Sequence, residues 1–342
     1  MVSCKSIFVS KHGGPNVLVL KKHSIRDPFE GEVTIKVNKI GINFADLMGR
    51  MGLYPGSPSP PYVPGFEVSG SVEMVGSNKM ENLLGTKVIG LSKIGGAYST
   101  HINIPLNQLF EINNKWYEVA AAIPVNYLTA YFMLVHQSGL RRDEWVLIHG
   151  AGGGVGLASI QIAKIIGAKI IGTSSSWKHE KLKKIGVDYL IDYNNQKFKD
   201  EVLEITSGRG VDVVIDSLGG KALAQSYSSL AEFGRLVSYG FSRAVSGNKK
   251  NYLKILPEYF GAPTFNPSNL MMRNRGVFGF HLGYLTKRHD LVRRYGDLIM
   301  DWLNMGKISP IIDSTFKLKD AEDAHDYITK RKNFGKVLLS NE

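Results

Sequence analysis

The chain has 342 residues, of which 43% are apolar and 21% charged, proportions that are ordinary for a globular protein. This length suggests two domains or one large domain. The single cysteine, Cys4, excludes an intrachain disulfide and favours a reducing compartment. The first residues lack a long apolar core followed by a small-residue cleavage site, so we expect a cytoplasmic protein.

The formal net charge is +12, and a cationic protein attracts phosphates, nucleic acid or acidic membrane surfaces. The basic residues are dispersed, however, and the densest group, at 178–184, contains a glutamate. A solvated helix face explains that group, so nucleic acid and membrane surfaces are not the favoured partners. The apolar run at 119–135 is short for a bilayer span and contains Pro124, which favours a buried helix with the proline in its first turn.

The first third of the chain is predicted to be rich in β-strands. Residues 1–118 contain short strand-like runs broken by glycine and proline, such as GEVTIKVNKIGI and GTKVIGL, a pattern typical of short strands. The proline-rich segment 51–65 predicts a stiff loop.

From residue 144 onward, short apolar runs alternate with segments of helical periodicity. Apolar strands separated by helices are typical of a parallel sheet covered on both faces, as in a doubly wound α/β fold. The run GVFGF at 276–280 predicts a sixth, outer strand. The other predicted strands are EWVLIHG, AKIIGTS, DYLIDY, VDVVIDSLG and GRLVSYG, and the predicted helices span 153–167, 178–186, 199–210 and 221–234.

A glycine cluster lies between the first of these strands and its helix, where a dinucleotide fingerprint is expected. The cluster fits A-x-G-x-x-G with Ala151, Gly153 and Gly156. Glycine removes the Cβ atoms that would block a pyrophosphate, and the backbone N–H groups at a helix start attract it. We therefore predict that Gly153, Gly154, Val155 and Gly156 bind a dinucleotide.

The end of the second predicted strand indicates which dinucleotide. An NAD site usually has an acidic side chain there, but no acid occurs between Gly156 and Glu180. The hydroxyls of Ser174, Ser175 and Ser176 and the ammonium of Lys178 would suit a 2′-phosphate, so NADP(H) is the predicted cofactor. Tyr193, at the end of the third strand, would flank the phosphate or adenine. The alternative is that these are ordinary loop residues.

The C-terminal residues read as strand, helix and strand, and we expect them to pack on the N-terminal region. The predicted organisation is a β-rich domain of residues 1–119, completed by 290–342, and a cofactor domain of residues 120–289. The path of residues 242–276 is not predicted; they are expected to shape the pocket or an edge where two copies of the chain meet.

These segments resemble the medium-chain dehydrogenase/reductase superfamily, in its zinc-independent quinone oxidoreductase branch. Within that branch the chain is most similar to the VAT-1 (vesicle amine transport protein 1) group, through FNPSNLMMRNRGVFGFHLGYL. The resemblance implies a Rossmann doubly wound parallel sheet plus a β-rich GroES-like catalytic domain. It also implies hydride transfer from NADPH to quinones or α,β-unsaturated carbonyls, and a homodimer joined through the outer strand. The other matching segments are NKIGINFADLMGRMGLYP, PGFEVSG, AAAIPVNYLTAYFML, VLIHGAGGGVGLASIQIAK and NFGKVLL.

The residues argue against the metal of the zinc-dependent relatives. A structural zinc site needs four ligands and a catalytic site three, yet this chain has only Cys4 and reads Gly65-Phe66-Glu67 where those relatives have Gly-His-Glu. We therefore predict no metal site.

The resemblance also implies site residues. Asn43 and Tyr54 match positions that face the nicotinamide and substrate, although Asn43 would serve equally as a turn-capping amide and Tyr54 as packing against the proline loop. Thr129, expected to open the helix that enters the cofactor domain, resembles a nicotinamide-side contact. His149 is interpreted as structural or near the cofactor. The remaining implied cofactor residues are Leu218, Tyr239, Gly240, Phe241, Phe280, His281, Leu282 and Asn333.

Two alternatives to a quinone or enone reductase stay open. The first is an NADPH-binding protein similar to VAT-1, with weak turnover, that acts through a partner, a membrane surface or nucleic acid. The second is an enoyl-thioester reductase, which shares the Tyr54 motif and would also need a site for the acyl carrier.

Overall fold

The computed structural model describes residues 1–93, 95–245, 247–248, 250–285 and 288–341. The strands within these ranges, in chain order, are β1 (Val2–Val9), β2 (Leu18–Ile25), β3 (Glu32–Gly41), β4 (Glu67–Val75), β5 (Lys87–Leu91), β6 (His101–Pro105), β7 (Leu109–Glu111), β8 (Trp145–His149), β9 (Lys169–Ser174), β10 (Tyr189–Asp192), β11 (Val211–Asp216), β12 (Leu230–Ser238), β13 (Gly276–Gly279), β14 (Ile312–Lys317) and β15 (Lys336–Ser340). The α-helices are α1 (Phe44–Met51), α2 (Pro124–Tyr131), α3 (Gly154–Ile166), α4 (His179–Ile185), α5 (Phe198–Ile205), α6 (Ala222–Ser228), α7 (Tyr252–Phe260), α8 (Pro267–Met272), α9 (His289–Asn304) and α10 (Ala321–Thr329).

The chain divides into two compact units. The first comprises Met1–Leu128, Gly247–Lys250 and Gly283–Glu342, and the second comprises Thr129–Ser246 and Asn251–Leu282. The boundaries expected from the sequence, after residues 119 and 289, stay a prediction. Of the segment 242–276, positions 246 and 249 lie outside the described residues.

The second unit is built on a parallel sheet with the order β10-β9-β8-β11-β12-β13. If β8 is counted as the first strand, this is the 3-2-1-4-5-6 order of the doubly wound dinucleotide-binding fold. Its central strands are buried, and Leu147, Val214 and Leu236 are fully enclosed. The predicted doubly wound α/β sheet is confirmed, and β13 forms its edge as the sequence indicated.

One predicted helix of this unit is wrong in its second half. The sequence predicted a helix over 221–234, but α6 ends at Ser228 and β12 begins at Leu230. Leu230 pairs with Val211 of the parallel neighbour and is buried. The next residue of β12 that pairs with β11 is Arg235, opposite Val213, so residues 231–234 form an irregularity in the strand, in which Phe233 has a left-handed φ of 58°. Pairing on both sides of this irregularity therefore ends the helix early, against the local helical pattern, as tertiary context commonly does.

The first unit contains a sheet with the order β14-β15-β3-β4-β5-β7, with β6 also paired to β3. The hairpin β1–β2 forms a separate two-stranded sheet. β15, from the C-terminal segment, pairs antiparallel with β3, with Leu338 opposite Gly41. The last strands of the chain thus complete the sheet of the first, β-rich residues.

The apolar run at 119–135 forms α2, whose first residue is Pro124, and continues as a π-helix over Phe132–Gln137. Proline at a helix start costs no hydrogen bond, because that N–H has no partner within the helix. Across the part of the chain that the structure describes, every helix is too short or too polar to span a bilayer.

Candidate functional site

The predicted dinucleotide turn connects β8 to α3. The turn begins at Gly150, whose φ of 64° lies in the left-handed region, and Gly153 caps α3. A Cβ atom on Gly156 would lie 2.4 Å from the Gly150 carbonyl oxygen, so only glycine permits this packing of helix against turn. The Ala151 N–H donates to the Thr173 carbonyl at 3.0 Å. The first N–H groups of a thirteen-residue helix are thereby held in one place, where they can bind an anion.

Hydroxyl groups lie close together at the ends of β9 and β10. Ser174 is buried, while the hydroxyls of Ser175 and Tyr193 hydrogen-bond at 2.9 Å. The carboxylate at the end of β10, Asp192, accepts the backbone N–H of Asn194 at 3.0 Å. That hydrogen bond is the largest of several that lower the pKa of Asp192, so this carboxylate is charged and bound by its own turn.

Lys178 lies in the single helical turn that follows β9, Ser176–Lys178. Its side chain is largely buried, and its ammonium lies 4.9 Å from the centroid of the Trp177 ring. Trp177 itself is half exposed. Lys181 lies over the same ring, at 5.9 Å. The assignment of Lys178 to a 2′-phosphate stays a prediction.

The predicted residues at the ends of β11 and β12 are close to one another. The Leu218 N–H donates to the Asp216 carboxylate at 2.7 Å, and the Tyr239 N–H donates to the Asp216 carbonyl at 3.0 Å. A Cβ atom on Gly240 would lie 2.7 Å from the Ser217 carbonyl oxygen. Burial raises the pKa of Tyr239, so its phenol is neutral. Two strand ends therefore form one surface at the carboxyl edge of the sheet, where such sheets bind ligands.

The aromatic residues after β12 and β13 pack within the second unit. A Cβ atom on Gly219 would lie 2.5 Å from the Phe241 ring, so Phe241 lies against the turn after β11. The Phe280 N–H donates to the Ser238 carbonyl at 2.9 Å, and its ring stacks on Phe132 with centroids 5.5 Å apart. Phe241 and Phe280 are thus held by the sheet and its turns.

Three further residues complete the predicted set in the second unit. His281 is half-buried, and burial lowers its pKa; Leu282 begins a short helical turn. Thr129 does not open its helix as predicted. Because Pro124 starts α2, Thr129 lies inside that helix, and its side chain is buried.

Asn43, in the first unit, is the N-cap of α1 and belongs to a buried polar cluster. Its backbone N–H donates to the Asp46 carboxylate at 2.8 Å. Its amide oxygen accepts from Lys336 at 2.7 Å, and its amide nitrogen donates to Glu67 at 2.8 Å and to the Gly41 carbonyl at 3.3 Å. Both amide hydrogens are therefore used inside the protein. The hydrogen bond at the helix start is thus made by the Asp46 carboxylate to the Asn43 N–H, whereas the Asn43 amide binds within the polar cluster. Contact of Asn43 with substrate stays a prediction.

The sequence did not identify the ion pair of this cluster. Lys336 and Glu67 form a salt bridge in which Lys336 is 3% exposed and Glu67 fully buried. The second carboxylate oxygen of Glu67 accepts the Val125 N–H at 2.8 Å. Burial raises the pKa of the neighbouring Asp46 to about 7. The sequence segments that contain Lys336 and Glu67 were recognised, but nothing in either segment indicates that these two residues form an ion pair.

Tyr54 lies in the loop after α1, half-buried, with its ring centroid 6.1 Å from that of Phe66. Burial, assisted by the nearby charge of Asp46, raises the pKa of the phenol. The hydroxyl is therefore protonated at neutral pH and can donate a hydrogen bond. Asn333 lies in the turn before β15, where its amide donates to the Gly335 carbonyl at 2.8 Å.

Within the described ranges, no three His, Cys, Asp or Glu side chains are grouped so that they could hold a metal ion.

Comparison with known proteins identifies the family. Residues 29–114 match the alcohol dehydrogenase GroES-like domain, and residues 154–299 match the zinc-binding dehydrogenase family. The chain is 39% identical over 340 residues to the synaptic vesicle membrane protein VAT-1 homolog of Danio rerio, covering 99% of this chain and 70% of that protein. The chain belongs to the VAT-1 group of the medium-chain dehydrogenase/reductase superfamily. The chain is also 32% identical to the quinone oxidoreductase-like protein 2 homolog of Nematostella vectensis, over 99% of this chain and 88% of that protein.

Solved structures of two relatives share the fold of this VAT-1 group member. The human VAT-1 homolog-like protein has a TM-score of 0.85 and 31% identity, covering 100% of this chain and 99% of the other. The Escherichia coli quinone oxidoreductase complexed with NADPH has a TM-score of 0.86 and 31% identity, covering 98% and 99%. The GroES-like and Rossmann parts expected from the sequence are thereby confirmed.

Proposed function

We propose that this chain is an NADPH-dependent, zinc-independent reductase that transfers hydride to quinones or α,β-unsaturated carbonyl compounds. The observation that carries the proposal is the glycine turn between β8 and α3, in a sheet with the dinucleotide-binding strand order. The related quinone oxidoreductase of E. coli, 31% identical, is complexed with NADPH. This chain binds NADP(H), which supplies a hydride when bound.

The residues of the second unit fit that cofactor. The glycine at 156 lets α3 approach the turn, and the helix N-terminus suits a pyrophosphate. Hydroxyls and Lys178 follow β9 at the place where an NAD site has a carboxylate. A carboxylate there would repel a 2′-phosphate, whereas hydroxyls and an ammonium can bind it. We assign Ser174, Ser175, Lys178 and Tyr193 to that phosphate.

Lys178→Ala tests the assignment, with Lys181→Ala as the matched control because both lysines lie over the Trp177 ring. A charged phosphate contact is commonly worth about 1.5–3 kcal/mol, so NADPH affinity should fall roughly ten- to a hundredfold. NADH affinity should be unchanged in both variants. Titration calorimetry that finds equal affinities of the wild type for NADPH and NADH would contradict the 2′-phosphate assignment.

On the substrate side, we propose that Tyr54 donates a hydrogen bond to the carbonyl oxygen as negative charge develops there. Burial keeps its phenol protonated. Removing one such donor typically costs about 2.7–4 kcal/mol, so Tyr54→Phe should reduce enone turnover on the order of a hundredfold. Quinones should lose less, because their reduced oxygens are better stabilised. Tyr62→Phe, in the same loop, is the control; full enone activity in Tyr54→Phe would end the catalytic role.

A second candidate function is an NADPH-binding protein with weak turnover that acts through a partner. Two observations favour it: the relatives are named synaptic vesicle membrane proteins, and α7 and α8 expose large apolar side chains. Leu253, Phe260 and Met271 are 87%, 78% and 73% exposed.

NADPH consumption measured across quinones, enones and enoyl thioesters separates the candidates. Saturable turnover of a quinone or enone supports the reductase, and bound NADPH without turnover on any substrate supports the binding protein. Preference for a thioester would favour an enoyl-thioester reductase; the chain is 27% identical to the CurK enoyl reductase, with a TM-score of 0.85.

Zinc independence rests on the chemistry of the donors. Although residues 154–299 match a family described as zinc-binding dehydrogenases, the chain has one cysteine, Cys4, and that thiol is buried on β1. Elemental analysis of purified protein should find no stoichiometric metal, and chelators should leave turnover unchanged. About one zinc per chain would contradict this part of the proposal.

A further inference from the structure

Four buried polar side chains form a continuous hydrogen-bond chain below the dinucleotide turn. The Thr173 hydroxyl lies 3.0 Å from His149 Nδ1, and His149 Nε2 lies 3.0 Å from the Ser226 hydroxyl. Ser226 donates in turn to the Asp216 carboxylate at 2.5 Å. Each of these residues is at most 1% exposed. They come from the ends of β8, β9 and β11 and from α6.

The Asp216 carboxylate fixes which group donates and which accepts in each of these hydrogen bonds. Because the Ser226 proton is donated to Asp216, the Ser226 oxygen must accept from His149, so His149 carries its proton on Nε2. Nδ1 is then the acceptor, and Thr173 donates to it. Burial lowers the pKa of His149, so the imidazole is neutral and has a single proton to place. All the hydrogen bonds are satisfied only in this arrangement.

The chain connects two segments that are assigned to the cofactor. His149 directly precedes the turn at Gly150, and the Thr173 carbonyl holds the next residue of that turn. At the other end, Asp216 accepts the N–H groups of Leu218 and Gly219 at 2.7 and 2.8 Å. One network therefore fixes the turn after β8 and the turn after β11.

We propose that Thr173, His149, Ser226 and Asp216 are positioning residues for the dinucleotide, which hold the glycine turn in register with the Leu218 turn. They bind the two turns and transfer no proton. This inference rests on the cofactor assignment above. It predicts that breaking the chain weakens NADPH binding beyond any general loss of stability.

Ser226→Ala interrupts the hydrogen-bond chain between His149 and Asp216, and Ser229→Ala is its matched control. Both serines are fully buried, but the Ser229 hydroxyl, just after α6, donates to the Gln225 carbonyl of that helix and takes no part in the network. Calorimetry at a temperature where both variants are fully folded should find NADPH affinity reduced about tenfold or more in Ser226→Ala and unchanged in Ser229→Ala. Equal NADPH affinity of Ser226→Ala and Ser229→Ala would overturn the positioning role and leave the cofactor assignment in place. A wild type that fails to bind NADPH would overturn the cofactor assignment first.

Asp216→Asn provides a second test that preserves side-chain size. Its amide N–H₂ would face Ser226, so the serine would donate to His149 Nε2 and the histidine proton would move to Nδ1. Nitrogen-15 NMR of histidine-labelled protein, with the His149 signals assigned by His149→Gln, should detect protonated Nε2 in the wild type and protonated Nδ1 in Asp216→Asn. The same tautomer in both proteins would overturn the proposed chain.

Discussion

The buried carboxyl group of Asp46 should make the stability of this protein depend on pH. Asp46 is 2% exposed and accepts the N–H groups of Asn43 and Gly65 at 2.8 and 3.1 Å. Burial raises its pKa to about 7, against the opposing effect of these hydrogen bonds and of Lys336. An unfolded aspartate has a pKa of about 3.9, so the folded state binds the proton more tightly.

The difference between the folded and unfolded pKa values sets the direction in which stability changes with pH. The stabilising contribution of Asp46 is fully present below about pH 4 and is lost as the pH rises through about 7. Between pH 5 and pH 8 the loss amounts to about 3 kcal/mol. Asp46→Asn removes the titration while its amide oxygen still accepts a backbone N–H. The wild type should therefore exceed Asp46→Asn in free energy of unfolding by about 3 kcal/mol more at pH 5 than at pH 8.

Urea denaturation of both proteins at the two pH values measures this quantity. Other titrating groups, such as the buried His149 and His325, are present in both proteins and cancel in the difference. Asp301→Asn, at an exposed position of α9, is the control and should show a pH-independent difference from the wild type. If Asp46→Asn also differs from the wild type by a constant amount at pH 5 and pH 8, the reasoning about Asp46 is refuted.

Three further predictions concern packing and assembly. Lys336→Met should lower the free energy of unfolding, measured by urea denaturation, by about 3–5 kcal/mol, because it leaves Glu67 buried without its cation. Lys39→Met should lower it less, since the carboxylate partner of Lys39 is mostly exposed; equal losses in the two variants would contradict the argument. Gly156→Ala should abolish NADPH binding in calorimetry, because its Cβ would meet backbone atoms of the turn; retained affinity would disprove that. The wild type should sediment as a homodimer at micromolar concentration and Phe278→Glu, on the edge strand, as a monomer; a monomeric wild type would rule out this interface.

The sequence by itself determined the features that depend on near neighbours along the chain. Apolar runs between helical segments predicted the parallel sheet, because strands buried on both faces have few polar positions. Gly167 and Gly186 end α3 and α4 in left-handed conformations, as their places after helical runs indicated. The glycine turn and the absence of an acid after β9 were likewise readable, since each is a property of consecutive residues.

Only the tertiary structure decided which distant groups meet. Lys336 and Glu67 are 269 positions apart, and neither residue type nor spacing indicates their pairing. The ambiguity of Asn43 between substrate contact and capping was likewise set out from the sequence, but only the structure reveals that both its amide hydrogens are used internally. The helix predicted over 221–234 ends at Ser228, because Leu230 and Arg235 pair with the neighbouring strand β11. Local patterns record burial and backbone preference, whereas charge pairs, hydrogen-bond chains and strand partners depend on the path of the whole chain.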